Sequence, residues 1–448
     1  MVTIIVRSSK DKSAVEYALL KFYGNDPAMQ VETLGGARKC DDILKSVLDI
    51  VRDDDVYLLL LGRESEECAK TIAREAPPNL YVHVVPRKKV RNLRIEHLAW
   101  EIAKAKALIR SRISWLSQRS AYALFNSSSG HDLGIEPDPA IDTFFLISEG
   151  SKHLFKVSGV RCSLPLLSRG YGGEHDVYCG PKRVCRIKIP DEFAEISVEK
   201  LDEVCEQPSI ESTLEVNAKI VDIVIERGAR IMRAFSEGFN NIVVPLSGGK
   251  DSALCLYIAT RVFEPHRIMA VYVDTGVEFP QTREYVEKLA SNLGVNLVKI
   301  RAPIREEIIR RGEYPTHASR WCTEIKVSTL EKFVRSLKGR TLVVIGDRDA
   351  ESRSRSWRPT VRDANGVRYV APIKPWSTAH VQITLLKLGI GMNPLYELGF
   401  YRIGCYVCPS LRSWELGIIE SRSDEFRDVL LDDLFKGFER AKRRGGTS

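Results

Sequence analysis

The run Ser247-Gly248-Gly249-Lys250-Asp251-Ser252 sits between an apolar stretch, Val243 to Leu246, and a segment spaced for a helix through Leu254, Tyr257 and Ile258. Two adjacent glycines let the backbone approach a ligand closely, at positive φ where required. Ser247, Ser252 and the first helical amides present donors to an anion, and the helix dipole favours negative charge there. Lys250 adds a point charge. The pattern is a phosphate-binding loop, but not the Walker type, whose Gly-x4-Gly-Lys spacing is longer.

A second group of residues offers sulfur. Cys405 and Cys408 form Gly-Cys-x-x-Cys-Pro, and Cys322 follows Ser319-Arg320-Trp321. A Cys-x-x-Cys pair alone is compatible with zinc, a redox dithiol or iron–sulfur ligation. Cys162, Cys179 and Cys185 are a weaker candidate for a separate zinc site, with ordinary thiols the preferred reading. Cys40, Cys68, Cys205 and Cys255 occupy apolar or helical positions and read as small hydrophobes. Ten cysteines behind an N-terminus without secretory character argue for metal or catalytic thiols over disulfides. Among eight histidines only His317 and His380 lie near a motif.

The elements that must position these groups follow from periodicity. Strands are expected at 242–246, 267–273, 296–300 and 341–346, with helices at 251–263, 281–293 and 326–337 between them. That alternation predicts an open, mostly parallel sheet over residues 240–410, binding its ligand at the carboxyl ends of the strands. Ser247, Asp274 and Gly346 would each end a strand. Residues 1–116 alternate similarly (strands 3–6, 31–33, 56–61, 80–85; helices 11–23, 41–52, 65–75, 95–115) and form a small α/β domain for recognition or docking. Residues 117–190 read as a linker and a small β-rich domain, with a hairpin around Ser148-Glu149-Gly150. Residues 191–239 read as a helical connector and 411–448 as a helical tail.

At 448 residues with 44% hydrophobic content, the chain can bury two or three cores. No apolar run approaches the ~18 residues of a membrane span, and a cytoplasmic enzyme is expected. The net charge of +8 favours an anionic partner. Arg87, Lys88, Lys89, Arg91 and Arg94 form one basic cluster, read as a solvated face, as are Lys442, Arg443 and Arg444. Arg348, Arg353, Arg355, Arg358, Arg362 and Arg368 form another, beside the expected active site, and read as phosphate- or sulfate-binding.

The loop resembles the pyrophosphate loop of the adenine nucleotide α-hydrolase (PP-loop) superfamily, whose members split ATP into AMP and pyrophosphate or act on adenylyl sulfates. Downstream, Val271-Tyr272-Val273-Asp274-Thr275-Gly276 supplies a strand ending in Asp-Thr-Gly. Gly346-Asp347-Arg348 with Glu351-Ser352-Arg353 resembles the Gly-x-Arg…Glu-Ser…Arg block of the phosphoadenosine phosphosulfate (PAPS) reductase family, and Pro372 to Trp376 its Pro-x-x-x-Trp element. The resemblance implies a Rossmann-like PP-loop domain that binds ATP, adenylyl sulfate or PAPS with Mg²⁺. Ser247, Gly248, Gly249, Lys250, Asp251, Ser252, Asp274, Thr275, Gly276 and Gly346 would contact the nucleotide. Lys250, Asp251, Asp274, Arg348 and Arg353 would serve catalysis. Cluster-bearing relatives place a Cys-Cys doublet at the earlier position, where this chain has Trp321-Cys322. Cys322, Cys405 and Cys408 would then hold a [4Fe–4S] cluster with one iron open, and zinc or a metal-free thiol pair are the alternatives.

Three functions compete. Reductases of the family need a dithiol reductant and usually carry a degenerate loop, since their substrate has no pyrophosphate to release. The complete loop here favours ATP-dependent sulfur transfer from a sulfur donor to tRNA or DNA held by the basic clusters. A nucleotide-binding regulator without turnover is the third possibility.

Overall fold

The first strands form where sequence alone places them, because short apolar runs are bounded by polar turns at each end. A computed structural model describes residues 1–190, 194–203 and 206–445; Cys205 and the expected start of the helical connector at Asp191 lie outside them. The chain divides into two units, each built from three segments.

The first unit comprises residues 1–143, 208–237 and 345–388. Its N-terminal sheet contains β1 (Val2–Val6), β2 (Met29–Thr33), β3 (Val56–Gly62) and β4 (Leu80–Val85), all parallel, in the order β2-β1-β3-β4. Helices α1 (Ser9–Phe22), α2 (Cys40–Ile50) and α3 (Glu66–Glu75) connect them. β3 is buried along its whole length, as an inner parallel strand covered on both faces must be. The helix expected to run to Trp115 stops at Ser111, and Trp115 instead belongs to strand Ser114–Leu116. That strand pairs with Ala121–Ala123, which is fully buried. Part of the expected linker is therefore core.

The second unit comprises residues 144–207, 238–344 and 389–448. Four of its strands run parallel in the order Asn296–Arg301, Ile268–Asp274, Asn241–Pro245, Thr341–Val344. Connections leave the Asn241–Pro245 strand in opposite directions, which opens a crevice at the carboxyl ends beside it. Strands Leu166–Arg169, Glu174–Cys179, Lys182–Lys188 and Ser197–Lys200 form an antiparallel meander, so strand continues into the stretch expected to be helical. The hairpin expected around Ser148 is instead the start of a helix, Glu149–Ser158. Leu154 and Ser158, four apart, are buried on it, and Gly159, at φ 71°, closes it with its amide on the Phe155 carbonyl.

Two cysteine expectations are corrected. Cys40 and Cys68 are disulfide-bonded, as are Cys162 and Cys179, while Cys185 is a buried free thiol. Cys162, Cys179 and Cys185 therefore do not form a zinc site. Their Cα atoms, 5.3 and 6.0 Å apart, lie within normal disulfide reach, a juxtaposition created by folding over 28 and 17 residues of separation.

Candidate active site

The glycine loop hangs from the Asn241–Pro245 strand and ends at helix Lys250–Thr260, whose N-cap is Gly249. Gly248 has a φ of +76°, and a methyl group there would lie 2.5 Å from Thr282 Cγ2. Both facts demand glycine. Ser252 Oγ accepts from the Ser247 amide at 3.2 Å and donates to the Gly249 carbonyl at 2.9 Å. Asn393 donates its side-chain amide to the Gly248 carbonyl at 3.2 Å and to Thr282 Oγ1 at 3.0 Å. The Lys250 amide donates to the Tyr396 hydroxyl at 3.2 Å. The Lys250 ammonium, buried, pairs with Asp251 at 3.1 Å and lies 5.3 Å from the Tyr396 ring centre. A loop held this firmly presents its donors with little reorganisation when an anion arrives.

On the neighbouring strand, Asp274 accepts from the Gly276 amide at 2.8 Å and pairs with Arg301 at 3.2 Å. Glu278 accepts from the Thr275 amide at 3.0 Å and from its hydroxyl. Ser247 and Asp274 thus follow and end adjacent parallel strands, as their motifs predicted. Gly346 comes two residues after the Thr341–Val344 strand and belongs to the first unit.

The thiols are brought to this same sheet by a short bridge. Glu278 pairs with Cys405 in an isolated antiparallel contact, and the Tyr406 amide donates to the Val277 carbonyl at 3.0 Å. The Cys408 amide turns back to the Cys405 carbonyl at 3.1 Å. Cys322 lies in the first turn of helix Trp321–Ser336. Arg320, just before it, donates to Ser410 Oγ at 3.0 Å and to His317 Nδ1 at 2.7 Å, and His317 Nε2 meets the Pro409 carbonyl at 3.0 Å. The role of His317 is therefore to tie the Cys322 segment to the Cys-x-x-Cys turn. A hydrogen bond from Cys405 draws the Cys408 thiol toward its thiolate and pushes the Cys405 thiol up. Burial raises Cys322, and the Cys408 charge raises it further. Lys326 opposes the rise at Cys322 and Cys405. Among the described residues, no three His, Cys, Asp or Glu side chains are closed into a ready cage for a single metal ion.

Ser247 of the loop and the Cys405 thiol line one cavity of about 130 Å³, with Leu246, Glu278, Lys326 and Gly404 among its other residues. Sequence reasoning missed Asn393, Tyr396 and Lys326. The first two lie about 145 residues from the loop they hold, and carry no local signal. Lys326, four residues after Cys322, was one more cation in a basic chain.

Arg348 and its neighbours depart from expectation. Arg348 is 3% exposed, pairs with Asp142 at 3.3 Å, and donates to Thr378 Oγ1 at 2.8 Å and the Trp376 carbonyl at 3.2 Å. Such a side chain holds the first unit together rather than clamping an incoming anion. Arg355 pairs with Asp347 at 3.0 Å and with Glu351, and Arg368 with Asp363 at 2.8 Å. Arg353 is exposed and stacks over Trp100, 5.1 Å from the ring centre. The basic run read as a sulfate clamp is largely answered by carboxylates. His380 is likewise structural: buried, it meets Ser377 Oγ at 2.7 Å and the Leu124 carbonyl at 3.2 Å.

Comparison with known proteins agrees with the geometry of the loop. The phosphoadenosine phosphosulfate reductase domain model matches residues 241–411. An uncharacterized protein of Methanocaldococcus jannaschii is 33% identical over 184 residues, 40% of this chain and 38% of that one; a second from the same organism is 29% identical, over 52% of this chain and 60% of that one. The chain thus spans well under two thirds of these relatives. The phosphoadenosine 5'-phosphosulfate reductase of Proteus mirabilis is 28% identical over 44% of this chain and 82% of its own. Among solved structures, the phosphate complex of PAPS reductase from Candida auris matches at 19% identity with a TM-score of 0.35, over 44% of this chain and 95% of that chain. No helix among the described residues is long and apolar enough to cross a membrane. Residues 241–411, with their glycine loop and Asp-Thr-Gly turn, are similar to the phosphoadenosine phosphosulfate reductase domain.

Proposed function

We propose that this domain cleaves ATP to AMP and pyrophosphate and uses the activation to place sulfur on a nucleic acid. The observation that carries this reading is the shared cavity, with Ser247 on one wall and Cys405 on another. Ser247, Gly248, Gly249, Lys250 and Ser252 stabilise the departing pyrophosphate, as oriented donors do for any developing charge. Mg²⁺ would offset phosphate charge, with Asp251 and Asp274 as its carboxylates, each now beside a cation. The Asp-Thr-Gly turn, fixed by Glu278, positions the nucleotide. An acceptor oxygen bonds the α-phosphorus as the α–β bridge breaks and pyrophosphate leaves. Sulfide then bonds the acceptor carbon, the carbon–oxygen bond breaks, and AMP departs. No net oxidation or reduction occurs.

Cys322, Cys405 and Cys408 would be the residues that hold a [4Fe–4S] cluster, and the chemistry it would supply is delivery of sulfur. The fit rests on Cys405 and Cys408 sharing one turn, and on Arg320 and His317, which tie the Cys322 segment to Pro409 and Ser410 just after it; the grouping is looser than a single ion needs.

A second reading, reduction of PAPS or adenylyl sulfate to sulfite by a dithiol, is favoured by the similarity to PAPS reductases. Product analysis separates them. Protein purified without oxygen is offered ATP, adenylyl sulfate and PAPS with a dithiol, the ATP samples with and without bulk tRNA or DNA. AMP and pyrophosphate stimulated by nucleic acid, without sulfite, is the expected result. Sulfite with AMP or its 3′-phosphate would replace this reading with the reductase. Absence of turnover with every substrate would leave a nucleotide-binding regulator.

A further inference from the structure

The N-terminal parallel sheet gathers the loops after all four of its strands along one edge, and those loops are basic. Lys10 begins α1 after β1, Arg38 and Lys39 follow β2, Arg63 follows β3, and Arg87 and Lys88 follow β4. All six side chains are exposed, and none has an ion-pair partner among the described residues. The acids nearest them are already taken. Glu64 pairs with Arg7, and Asp11 pairs with Arg91 at 3.1 Å. Asp41, Asp42 and Glu66, in the first turns of α2 and α3, are outnumbered two to one by the six free cations. The opposite, amino edge of the sheet is acidic, with Asp26 before β2 and Asp53, Asp54 and Asp55 before β3; Asp53, Asp54 and Asp55 face Lys219, Arg230, Arg227 and the amino group of Met1.

The basic edge is also continuous and stiff. The Gly36 amide donates to the Arg7 carbonyl at 2.8 Å, joining the β1 and β2 loops, and the Arg63 amide donates to the Arg87 carbonyl at 2.8 Å, joining those of β3 and β4. Arg91 reaches Ser8 Oγ at 3.2 Å, joining the β4 and β1 loops. Cys40 and Cys68 staple the starts of α2 and α3. Four strands at ~4.8 Å spacing make the edge about 15 Å wide, enough to face several phosphates of a duplex that carries one charge per ~1.7 Å. The glycine turn after β2, Gly35-Gly36, is exposed, and the cavity at Gly62 and Lys89 is about 10 Å³, so a small anion would not be enclosed there.

We propose that this edge docks a nucleic acid through its phosphate backbone. The proposal deepens and rests on the sulfur-transfer reading, because it gives the acceptor a binding surface on the first unit. Charge complementarity without base-reading elements makes the contact electrostatic and tolerant of sequence.

The test is fluorescence anisotropy of full-length protein with labelled bulk tRNA or duplex DNA of about 30 base pairs, titrated between about 50 and about 200 mM salt. Anionic lipid vesicles and polyglutamate serve as the competing polyanions. The quadruple variant Arg38→Ala, Arg63→Ala, Arg87→Ala, Lys88→Ala should make the slope of log affinity against log salt shallower by about 3 and weaken binding at least about tenfold. Its nucleic-acid-independent ATP turnover should match the parent's. RNA alone, DNA alone or both passing this test would support the proposal and name the source. An unchanged slope in the variant, or binding to vesicles or polyglutamate but not to nucleic acid, would overturn it. Loss of ATP cleavage in both proteins with binding intact would remove the sulfur-transfer reading and leave the docking surface standing.

Discussion

The two parallel sheets of this chain have the same kind of edge and use it in opposite ways. At the carboxyl edge of the second unit's sheet, small residues and backbone amides do the work: Gly248 and Gly249 open the loop, and its lysine is buried against Asp251 and Tyr396. At the carboxyl edge of the N-terminal sheet the turns carry exposed arginines and lysines on loops tied to one another by backbone hydrogen bonds. Parallel topology alone thus brings loops together. Both edges carry glycine at positive φ, Gly248 in one and Gly35 and Gly36 in the other; what differs is the set of long charged side chains that the N-terminal turns leave exposed.

The comparison can be broken most sharply at the loop. Lys250→Ala should lower nucleotide turnover about 10³-fold, roughly 4 kcal/mol of transition-state stabilisation, with any cluster absorbance unchanged. Cys405→Ala should do the reverse, removing sulfur transfer while nucleotide binding, read by calorimetry, survives. If each variant fails in both assays, loop and thiols are not separate components. Arg348→Ala leaves Asp142 buried without its cation and should destabilise the fold by about 3 kcal/mol, seen as a lower denaturant midpoint. Turnover per folded molecule should hold within a few-fold, whereas an anion clamp would lose much more.

A smaller effect concerns buried carboxylates. Burial would push Asp349 up, but Lys106, Lys374 and Arg110 hold it below its ordinary value. Glu415 is buried too, and there burial wins, raising it to about 7 from 4.5. A folded-state value above the unfolded one means the native protein binds the extra proton, so this stability is complete below pH 4.5 and is lost as pH rises through 7. Glu415→Gln can still accept from the Arg412 amide, a 3.0 Å bond in the parent. It should flatten that fall by about 1–2 kcal/mol, measured by urea titration at pH values on either side of the window.

How legible this was in the sequence depended on whether the signal was local. The loop, the Asp-Thr-Gly turn and most parallel strands were read within a few residues of their bounds, because glycine turns and buried apolar runs are encoded where they occur. Charge was the less legible signal. The Arg348–Arg368 run reads as a sulfate site, yet its carboxylates, Asp142, Asp347, Glu351 and Asp363, include partners that only folding brings near. The Arg87–Arg94 run reads as solvated surface and is exposed at Arg87, Lys88 and Arg94, but that Arg38 and Arg63 lie on the same edge follows only from the strand order. The two disulfides and the supports Asn393 and Tyr396 are equally non-local. Helix Glu149–Ser158 was mistaken for a hairpin because Ser-Glu-Gly read as a turn, while its Leu154–Ser158 spacing was not weighed.

Ser247 of the phosphate loop and Cys405 line one cavity, so a bound nucleotide should protect that thiol. Metal-stripped, anaerobic protein is alkylated with and without ATP and Mg²⁺, and modification of Cys405 is followed by peptide mass spectrometry, with Cys322 and Cys408 as internal references. Saturating ATP should slow Cys405 alkylation at least about tenfold, a loss of access equal to ~1.4 kcal/mol, and should leave its rate unchanged in Lys250→Ala. Equal Cys405 rates with and without ATP, in protein shown to bind the nucleotide, would contradict the shared cavity.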